Sequence, residues 1–461
     1  MNSEFPLNLD SSFLEGLSDS GIIWVAYSGG LDSLVLLHAV HQFLLSTNQT
    51  HRLKAVHINH GLQQESDMWA EHCQLTCQNL DIACHVEKAN IDSSSSSNLE
   101  EKAREARYEI FKGVLKAGDV LLMAHHLDDQ VETMLYRLAR GSGAQGLAGM
   151  PKSRELGLVH LYRPLLQTTR KQLQEYADEQ GLAGLEDPSN QNEQFDRNFL
   201  RHKVLPQLIN RWPAFLENAN KSSEFLVEAT QAQEALADID MQKAASQWPN
   251  RLNVKEVLVL PEWRQKNLLR FWILKLSKEF HFSPVDQISL KRLVREVLPA
   301  GEDTNPLVYW PKGSRQVEVR KFANHLCLLL PLVLSPEEQS RSDIIWNEPS
   351  KPLRLPGELG TLTLERVKSN GFALDQHQPL VIRFRQEGMS FKPAGRSSKS
   401  FKKLCQDYLV PPWMREYLPL VYQDEDFLSF ADLFIDDSAF FQKGKNLYRI
   451  CWQKSDLHCG M

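Results

Sequence analysis

The sequence predicts an α/β fold: an N-terminal doubly wound parallel sheet, a mainly helical middle domain and a small α+β C-terminal domain. Between Gly21 and about Gly181, short apolar stretches alternate with helical patterns, the order expected of parallel strands joined by helices. From Phe215 onward, apolar residues recur with the period of a helix. Nearer the C-terminus, residues 380–385 show the alternation of a strand.

The N-terminal strands are predicted from apolar stretches that are short and continuous, as in strands covered on both faces. These stretches are Ile22–Tyr27, Leu53–Ile58, Ile82–Glu87, Val120–Ala124 and Leu158–Tyr162. The helical patterns that follow them lie near Leu34–Leu45, Met68–Leu80, Asn98–Lys116, Asp129–Ala139 and Thr169–Gln180. This succession predicts a sheet with helices on both of its faces.

The pattern changes near Pro206–Pro213, where the middle part begins. Helices are predicted over 215–247, 262–280 and 284–297, the last with Ser283 as N-cap and Pro284 as first residue, followed by strands over 317–319 and 325–330. Three prolines within Asn347–Gly357 indicate a second boundary. We therefore expect domains at residues 1–215, 216–345 and 346–461.

Composition restricts the class of protein. The chain has 461 residues and a net charge of -6, which argues weakly against a protein that coats nucleic acid. We find neither an apolar stretch of membrane-spanning length nor a leader pattern, and expect a cytoplasmic protein. Its seven cysteines, an odd number without any Cys-x-x-Cys pair, predict reduced thiols.

The stretch SGGLDS, Ser28–Ser33, follows the first predicted strand and precedes a helix. Two glycines let backbone N–H groups approach an anion, and the start of a helix adds its dipole. Ser28 and Ser33 supply hydroxyls, and Asp32 supplies a carboxylate for a metal. The G-x-x-x-x-G-K-[ST] loop of kinases is absent. The stretch therefore predicts a phosphate-binding loop, with a purely structural turn as the alternative.

This stretch resembles the pyrophosphate loop, S-G-G-x-D-S, of the N-type ATP pyrophosphatases. Members of that superfamily cleave ATP to AMP and pyrophosphate and use AMP to activate a carbonyl oxygen, which a nitrogen or sulfur nucleophile then displaces. The resemblance implies that ATP contacts Ser28, Gly29, Gly30, Leu31, Asp32 and Ser33.

Further motifs follow in order: HINHGL from His57, AREARY from Ala103, AHHLDDQVET from Ala124, LARGSGAQGLAGM from Leu138, RPLL from Arg163 and EDPSNQNEQFDRNFLRHKVLP from Glu186. This set resembles the bacterial tRNA(Ile)-lysidine synthetase family over about residues 20–215 and, more loosely, over 383–421. The resemblance implies that ATP adenylates O2 of the wobble cytidine of a CAU-anticodon isoleucine tRNA. An amine of free L-lysine then attacks C2, and AMP leaves behind lysidine, so that the tRNA reads AUA.

The acidic residues are assigned from this resemblance and from their spacing. We expect Asp32 to hold Mg²⁺ and pyrophosphate, because hard cations prefer carboxylate oxygens. Asp129, which follows the fourth strand, is expected to bind the metal or act as a base. Its neighbour Asp128 is expected to cap a helix, since adjacent acids cannot both face one site. Glu132 lies on the face of Asp129 and is expected to bind the ammonium of lysine.

Two pairs of histidines follow strands. His57 and His60 end the second strand near the expected adenine, although a structural role is equally open. Of His125 and His126, one is expected to pack or stack near the nucleotide, and we choose His125. Zinc binding is disfavoured, because no second Cys/His pair stands at ligand spacing.

Arginines and lysines supply the expected anion contacts. Arg104 and Arg107, three residues apart, are expected to meet phosphate or the substrate carboxylate, and we place catalysis on Asp32, Asp129 and Arg104. Arg140 begins a glycine-rich loop that closes over the substrates or touches tRNA. RNA backbone contacts are expected from a polar helix face formed by Arg197, Asn198, Arg201 and His202.

In the C-terminal part, basic residues from Arg383 to Lys403 alternate with Phe384, Phe391 and Phe401. This pattern favours phosphate binding with nearby base stacking, and the alternative is a solvated loop beside a small core. We choose Lys402 and Lys403 as the tRNA-binding residues of this segment.

Three other functions compete with this interpretation. A tRNA thiolation enzyme on the same scaffold needs catalytic cysteines, and the nearest, Cys73, lies outside every motif. An amidotransferase is disfavoured because no nucleophilic cysteine stands near the start, where residue 2 is Asn2. A non-catalytic tRNA-binding protein would not need the intact loop and Asp129. The resemblance leaves open whether the chain is a monomer or a homodimer.

Overall fold

A computed structural model describes residues 11–14, 17–18, 20–61, 65–89, 99–186, 191–301, 304, 306–310, 316–331, 343–375, 378–384 and 389–454. Asn2, Asn98 and Arg385, which figure in the predictions above, lie outside these ranges. The chain forms two compact units, residues 1–231 and 232–461. Over the described ranges, no helix is both long and apolar enough to cross a membrane.

The first unit contains a six-stranded sheet in the order β3-β2-β1-β4-β6-β5. All neighbouring strands are parallel except the edge pair β5 and β6. The strands are β1 Ile23–Ala26, β2 Leu53–Asn59, β3 Ala83–Lys88, β4 Val120–Leu122, β5 Ser153–Leu156 and β6 Val159–Tyr162. The predicted doubly wound parallel sheet is confirmed. The prediction omitted the antiparallel strand β5, because its Ser-Arg-Glu-Leu sequence is not continuously apolar.

Helices cover both faces of this sheet. They are α1 Leu31–Ser46, α2 Ser66–Asn79, α3 Leu99–Val114, α4 Leu127–Ala139, α5 Ala144–Leu147, α6 Arg170–Gln180, α7 Asp196–Phe199 and α8 Leu205–Arg211. Strand β1 shows why its sequence is continuously apolar. Ile23 and Val25 pack into one core cluster, whereas Trp24 packs into a second cluster with Val56 and Leu121. Both faces of the sheet are therefore covered and excluded from solvent, as expected for a parallel sheet.

Helix α9, Phe215–Ala244, runs from the first unit into the second. The second unit begins with three further helices: α10 Val254–Leu258, α11 Glu262–Phe280 and α12 Gln287–Arg292. These helices agree with the predicted helical middle part, which also contains an antiparallel sheet ordered β7-β10-β9-β8. Its strands are β7 Arg251–Asn253, β8 Leu307–Trp310, β9 Val317–Phe322 and β10 His325–Leu329.

The predicted start of α12 is wrong. Ser283 and Pro284 do not begin the helix, because Asp286 is the N-cap and its Oδ1 accepts the backbone N–H groups of Ile288 and Ser289 at 2.9 Å each. An aspartate in this position satisfies two donors that the helix itself leaves without partners.

The C-terminal part is α+β, as predicted. Its helix is α13 Phe401–Asp407, and its strands are β11 Ile344–Trp346, β12 Leu353–Arg354, β13 Thr361–Ala373, β14 Leu380–Arg383, β15 Ser390–Phe391, β16 Lys399–Ser400, β17 Leu420–Gln423, β18 Asp426–Phe430, β19 Phe434–Ile435 and β20 Phe440–Gln453. Phe391 and Phe401 are buried in its core, with ring centroids 5.6 and 5.4 Å from that of Phe430. The predicted base-stacking role is therefore wrong for these two phenylalanines.

One buried carboxylate, Asp119, joins the turn before β4 to β1. Its oxygens accept hydrogen bonds from Ile22 N at 2.9 Å, Trp24 Nε1 at 3.1 Å and Lys116 N at 3.0 Å. The substitution Asp119→Ala leaves these donors without an acceptor, and we expect it to lower the free energy of unfolding by about 2–4 kcal/mol. Urea denaturation followed by circular dichroism measures this loss. Asp119→Asn, which keeps one acceptor oxygen, is expected to lose less, and equal losses would contradict the account.

Candidate active site

The candidate site lies where the strand order of the first unit reverses. Strand β1 has β2 on one side and β4 on the other, and ligands of open α/β sheets bind at the carboxyl ends of strands at such a point. A cleft of about 560 Å³ opens there. Residues at or after the carboxyl ends of three strands line it, among them Tyr27, Ser28, Asp32, Ser33, His57, His60, His125 and Asp129.

The Ser28–Ser33 loop forms a cradle at the start of α1. Gly29 has a φ of +90°, a left-handed backbone conformation that residues other than glycine rarely adopt. Ser33 Oγ donates to Gly30 O at 2.9 Å and accepts from Ser28 N at 3.2 Å, which closes the turn. The N-cap is Gly30, so no side chain caps α1. A helix start that lacks a side-chain cap leaves backbone donors for an anion.

A second segment, Leu182–Glu186, packs against this loop. Leu185 N donates to Gly29 O at 2.9 Å. Gly184 lies so close that a Cβ there would stand 2.4 Å from Leu31 N and 2.6 Å from Leu31 Cα. Gly184 could not be singled out from the sequence, because the contact joins residues far apart in the chain.

A buried histidine, His126, holds the acidic residues together. Its Nε2 lies 3.6 Å from Asp32 Oδ2 and 3.5 Å from Asp129 Oδ2, and its Nδ1 lies 3.6 Å from Asp128 Oδ2. Burial lowers the pKa of His126, but the carboxylates of Asp128, Asp32 and Asp129 outweigh it and raise the pKa to about 10. The imidazole is therefore a cation near neutral pH.

The carboxylates respond to this cation. Burial raises the pKa of Asp32 and of Asp128, but His126 lowers it in each case, and the pKa of each ends below its usual value. Asp32 Oδ1 is buried and has no hydrogen-bond partner among the described residues. One carboxylate oxygen is therefore left for a ligand that the protein does not supply.

The adjacent acids point to different places. Asp128 Oδ2 accepts the N–H of Arg170, the first residue of α6, at 2.9 Å. Asp129 lines the cleft and also accepts the N–H of His126 at 3.1 Å. The N-cap of α4 is His126, so Asp128 satisfies the start of α6 rather than capping its own helix.

Arg201 closes the acidic side of the cleft. It donates to Glu132 through Nε at 2.6 Å and through a terminal nitrogen at 2.8 Å, and that nitrogen also donates to Asp129 Oδ1 at 2.9 Å. Burial raises the pKa of Glu132 above its usual value, although Arg201 lowers it. The Glu132 carboxylate, predicted to bind an ammonium, already holds one cation, and Arg201 faces the cleft.

Arg201 stands in a π-helical turn, Leu200–Val204, between α7 and α8. Leu205 N bonds to Leu200 O, five residues back. Pro206 follows and has no N–H for the carbonyl of His202, so a regular helical bond is missing there. The wider turn sets the direction of Arg201, as π-helical turns often do at functional sites.

The opposite wall of the cleft is basic or neutral. Arg107 donates to His60 Nε2 at 3.0 Å, and burial lowers the pKa of His60 to about 4. His57 Nδ1 donates to Tyr27 O at 2.9 Å. Arg163 Nε donates to His125 Nδ1 at 3.3 Å, and burial lowers the pKa of His125 to about 4. His125 is thus neutral beside the charged His126.

The other predicted residues lie on the surface. Arg104 is exposed and lies 5.7 Å from the ring centroid of Tyr108, outside the cleft lining. Arg140 and the half-buried Arg197 both lie against Tyr136. In the second unit, Lys402 and Lys403 are exposed on α13, and Lys403 Nζ lies 3.7 Å from Asp407.

Three family profiles match the chain. A PP-loop domain matches residues 2–208, a TilS substrate binding domain matches 252–327, and a TilS substrate C-terminal domain matches 380–452. Among solved structures, the U34-tRNA thiolase NcsA from Methanococcus maripaludis aligns over 46% of this chain and 74% of its own, with a TM-score of 0.39 and 16% identity.

Curated relatives match almost the whole chain. The tRNA(Ile)-lysidine synthase of Vibrio parahaemolyticus is 36% identical over 92% of this chain and 94% of its own. That of Coxiella burnetii is 38% identical over 89% and 88%, and that of Pseudomonas fluorescens is 37% identical over 95% and 94%.

The packing of Gly184 predicts an effect on ATP binding. In Gly184→Ala the new Cβ must push against the backbone of Leu31, so the loop shifts, and we expect the KM for ATP to rise roughly tenfold, equivalent to about 1.4 kcal/mol. Gly113→Ala is the matched control, because a Cβ there meets nothing within 4 Å. An unchanged KM for ATP in Gly184→Ala would contradict the contact.

The charge of His126 predicts a pH-dependent stability. Its pKa is raised from 6.5 to about 10, so its contribution is complete below pH 6.5 and is lost as the pH rises through 10. Thermal unfolding measured between pH 7 and 10 should show that the difference in Tm between the parent and His126→Gln becomes smaller as the pH rises. His125→Gln is the control, since His125 is neutral throughout this range and its difference should stay flat. A His126 difference that grows with pH would contradict the assignment.

Proposed function

The chain belongs to the tRNA(Ile)-lysidine synthase family, and we infer that it is an ATP-dependent ligase that forms lysidine on tRNA. The main support for this function is that the anion-binding loop Ser28–Ser33 and the carboxylates of Asp32 and Asp129 line the same cleft. Such a cleft can hold a nucleotide beside a second, cationic substrate. Because ATP, lysine and tRNA occur together in the cytoplasm, we propose that compartment.

We propose that the triphosphate of ATP lies in the Ser28–Ser33 cradle, with the nucleoside toward His57 and His125. Support comes from the helix start without a side-chain cap, since its N–H groups and dipole favour phosphate. His57 and His125 line the same cleft, and burial lowers the pKa of both. Neutral imidazoles can pack against a base without repelling other cations.

The residues present also fit Mg²⁺. Asp32 and Asp129 are the proposed ligands, and Asp32 Oδ1 is a buried oxygen without a hydrogen-bond partner among the described residues. Mg²⁺ commonly binds through one or two carboxylates together with substrate phosphates, so two ligands suffice. When bound, the ion neutralises negative charge on the phosphates.

The proposed reaction has two steps. Cytidine O2 attacks the α-phosphorus of ATP, and pyrophosphate leaves. A neutral amine of lysine then attacks C2, the C2–O2 bond breaks, and AMP leaves with that oxygen. The amine must lose a proton, and Asp129 is the proposed acceptor because its carboxylate lines the cleft.

Lysine requires a place for its ammonium and for its carboxylate. We propose Glu132 for the ammonium, which would share this carboxylate with Arg201 next to the cleft-lining Asp129. Arg107, which lines the cleft, is proposed for the carboxylate or a phosphate, and the exposed Arg104 of the same helix is proposed for a phosphate. Arg140, Arg197, Lys402 and Lys403 are the proposed contacts to tRNA, over domains at 1–215, 216–345 and 346–461.

Thiolation is less well supported than ligation. Burial raises the pKa of Cys73 to about 12, so this thiol stays protonated and is a poor nucleophile. Cys73, Cys77 and Cys84 all lie outside the cleft lining.

The test is transfer of labelled free lysine to a CAU-anticodon tRNA transcript, with and without ATP, followed by nucleoside mass analysis. We expect an ATP-dependent adduct of cytidine and lysine, with AMP released. Asp129→Asn should reduce the rate roughly 100-fold or more, since a proton acceptor is lost. Asp128→Asn is the matched control, because the neighbouring carboxylate serves the start of α6 and should matter far less.

Other outcomes would redirect the assignment. AMP formed only when a sulfur donor is supplied would favour thiolation. Equal losses in Asp128→Asn and Asp129→Asn would remove the proposed role of Asp129 without touching the reaction itself.

A further inference from the structure

An ordered row of side chains leads outward from the cleft. Glu132 and Tyr136 of α4 and its C-cap residue Arg140 recur every fourth residue, and this spacing places them on one helix face. Arg201 and Arg197, also four residues apart, contact Glu132 and Tyr136 respectively. Arg201 pairs with Glu132, and the Arg197 guanidinium carbon lies 5.9 Å from the Tyr136 ring centroid.

Two guanidinium groups lie near the ring of Tyr136. The Arg140 guanidinium carbon is 5.2 Å from the ring centroid, and its terminal nitrogen donates to the Tyr136 hydroxyl. Within the described ranges, neither Arg140 nor Arg197 has a carboxylate within ion-pair distance. Exposed apolar side chains lie nearby in the sequence of the same helices, namely Leu138, Phe195 and Phe199, each about half exposed or more.

The surroundings add positive charge. Burial, together with the nearby charges of Arg104 and Arg197, lowers the pKa of Arg137. Arg137 donates to Gly146 O at 2.8 Å and to Gly149 O at 2.7 Å, which holds the glycine-rich loop in place. A basic area therefore surrounds one aromatic ring in a protein whose net charge is -6.

Unpaired RNA fits these features better than other ligands. Single-stranded nucleotides stack on aromatic rings and on guanidinium planes, and their phosphates pair with arginine. An acidic peptide would satisfy the arginines but would leave the ring and the apolar side chains without a role. Tyr136 lies four residues, about 6 Å along the axis, beyond Glu132, so such a nucleotide would sit next to the reacting base.

We propose that Tyr136, with Arg140 and Arg197, forms a stacking platform for an unpaired nucleotide that flanks the target cytidine. This proposal rests on the proposed function, because it assumes a tRNA loop in the cleft. Stacking on the platform fixes the neighbouring nucleotide and so directs the cytidine toward the Ser28–Ser33 loop. Tyr136 is a positioning residue and takes no part in the chemistry.

The first test compares Tyr136→Ala with Tyr136→Phe in the full-length chain. Loss of the ring should reduce kcat/KM for tRNA roughly 5- to 100-fold, the range expected for one stacked base. The KM values for ATP and lysine should not change. Tyr136→Phe, which keeps the ring, should restore most of the activity. Leu158→Ala, at an exposed turn between β5 and β6, is the control.

The second test separates stacking from a structural role. Transcripts that carry an abasic nucleotide on either side of the target cytidine are compared in the parent and in Tyr136→Ala. At the stacked position, the abasic nucleotide should lower kcat/KM of the parent about as much as Tyr136→Ala does. Combining the two changes should lower kcat/KM no further than either change alone. At the other position the two losses should multiply.

Each result decides the proposal. Losses that multiply at both positions, or an unchanged kcat/KM for tRNA in Tyr136→Ala, would overturn it. A similar fall in kcat/KM for tRNA with Tyr136→Phe would also overturn it, since the ring alone would then not be the binding element. No lysine transfer by the parent chain would be the failure of the proposed function instead.

Discussion

The active-site cleft depends on compensating a concentration of negative charge. Asp32, Asp128, Asp129 and Glu132 come together where two parallel strands end, and their mutual repulsion would open the site if nothing opposed it. His126 lies within 3.6 Å of the first three, and Arg201 binds the last two. The buried His126 and the half-buried Arg201 allow the loop after β1 and the start of α4 to share one site.

This requirement explains several local choices of structure. His126 is the N-cap of α4, and Asp129 reaches back to its N–H, so the helix start and the charge cluster are one arrangement. Asp128 accepts the backbone N–H of Arg170 at the start of α6, and α6 packs against α1. The π-helical turn before Pro206 brings Arg201 to the carboxylates from a distant part of the chain. Each element is positioned by a polar contact that another element needs.

Features that depend on neighbouring residues could be predicted from the sequence. The Ser28–Ser33 loop is one, because a strand, two glycines and a helix start are local properties. The parallel sheet is another, because covered strands are continuously apolar. The pairing of Glu132 with Arg201 could not be predicted, since 69 residues separate them.

Two further features could not be decided from the sequence, for the same physical reason. His125 and His126 are adjacent and identical in type, and only the fold decides which one is surrounded by carboxylates. The alternation of basic residues with Phe391 and Phe401 suits a core just as well as an RNA surface. Burial against Phe430 decides that case, and burial is not a property of the segment alone.

The distribution of charge across the cleft bears on which substrate it can accept. One part of the lining holds the carboxylates of Asp32 and Asp129 with Arg201, and another part holds Arg107 beside the neutral imidazoles of His60 and His125. A ligand that carried only negative charge would match the cradle and Arg107 but not the carboxylates. A free amino acid with a cationic side chain carries both signs, and its length separates them. The cleft therefore presents charges of both signs, and a ligand of one sign alone would match only part of its lining.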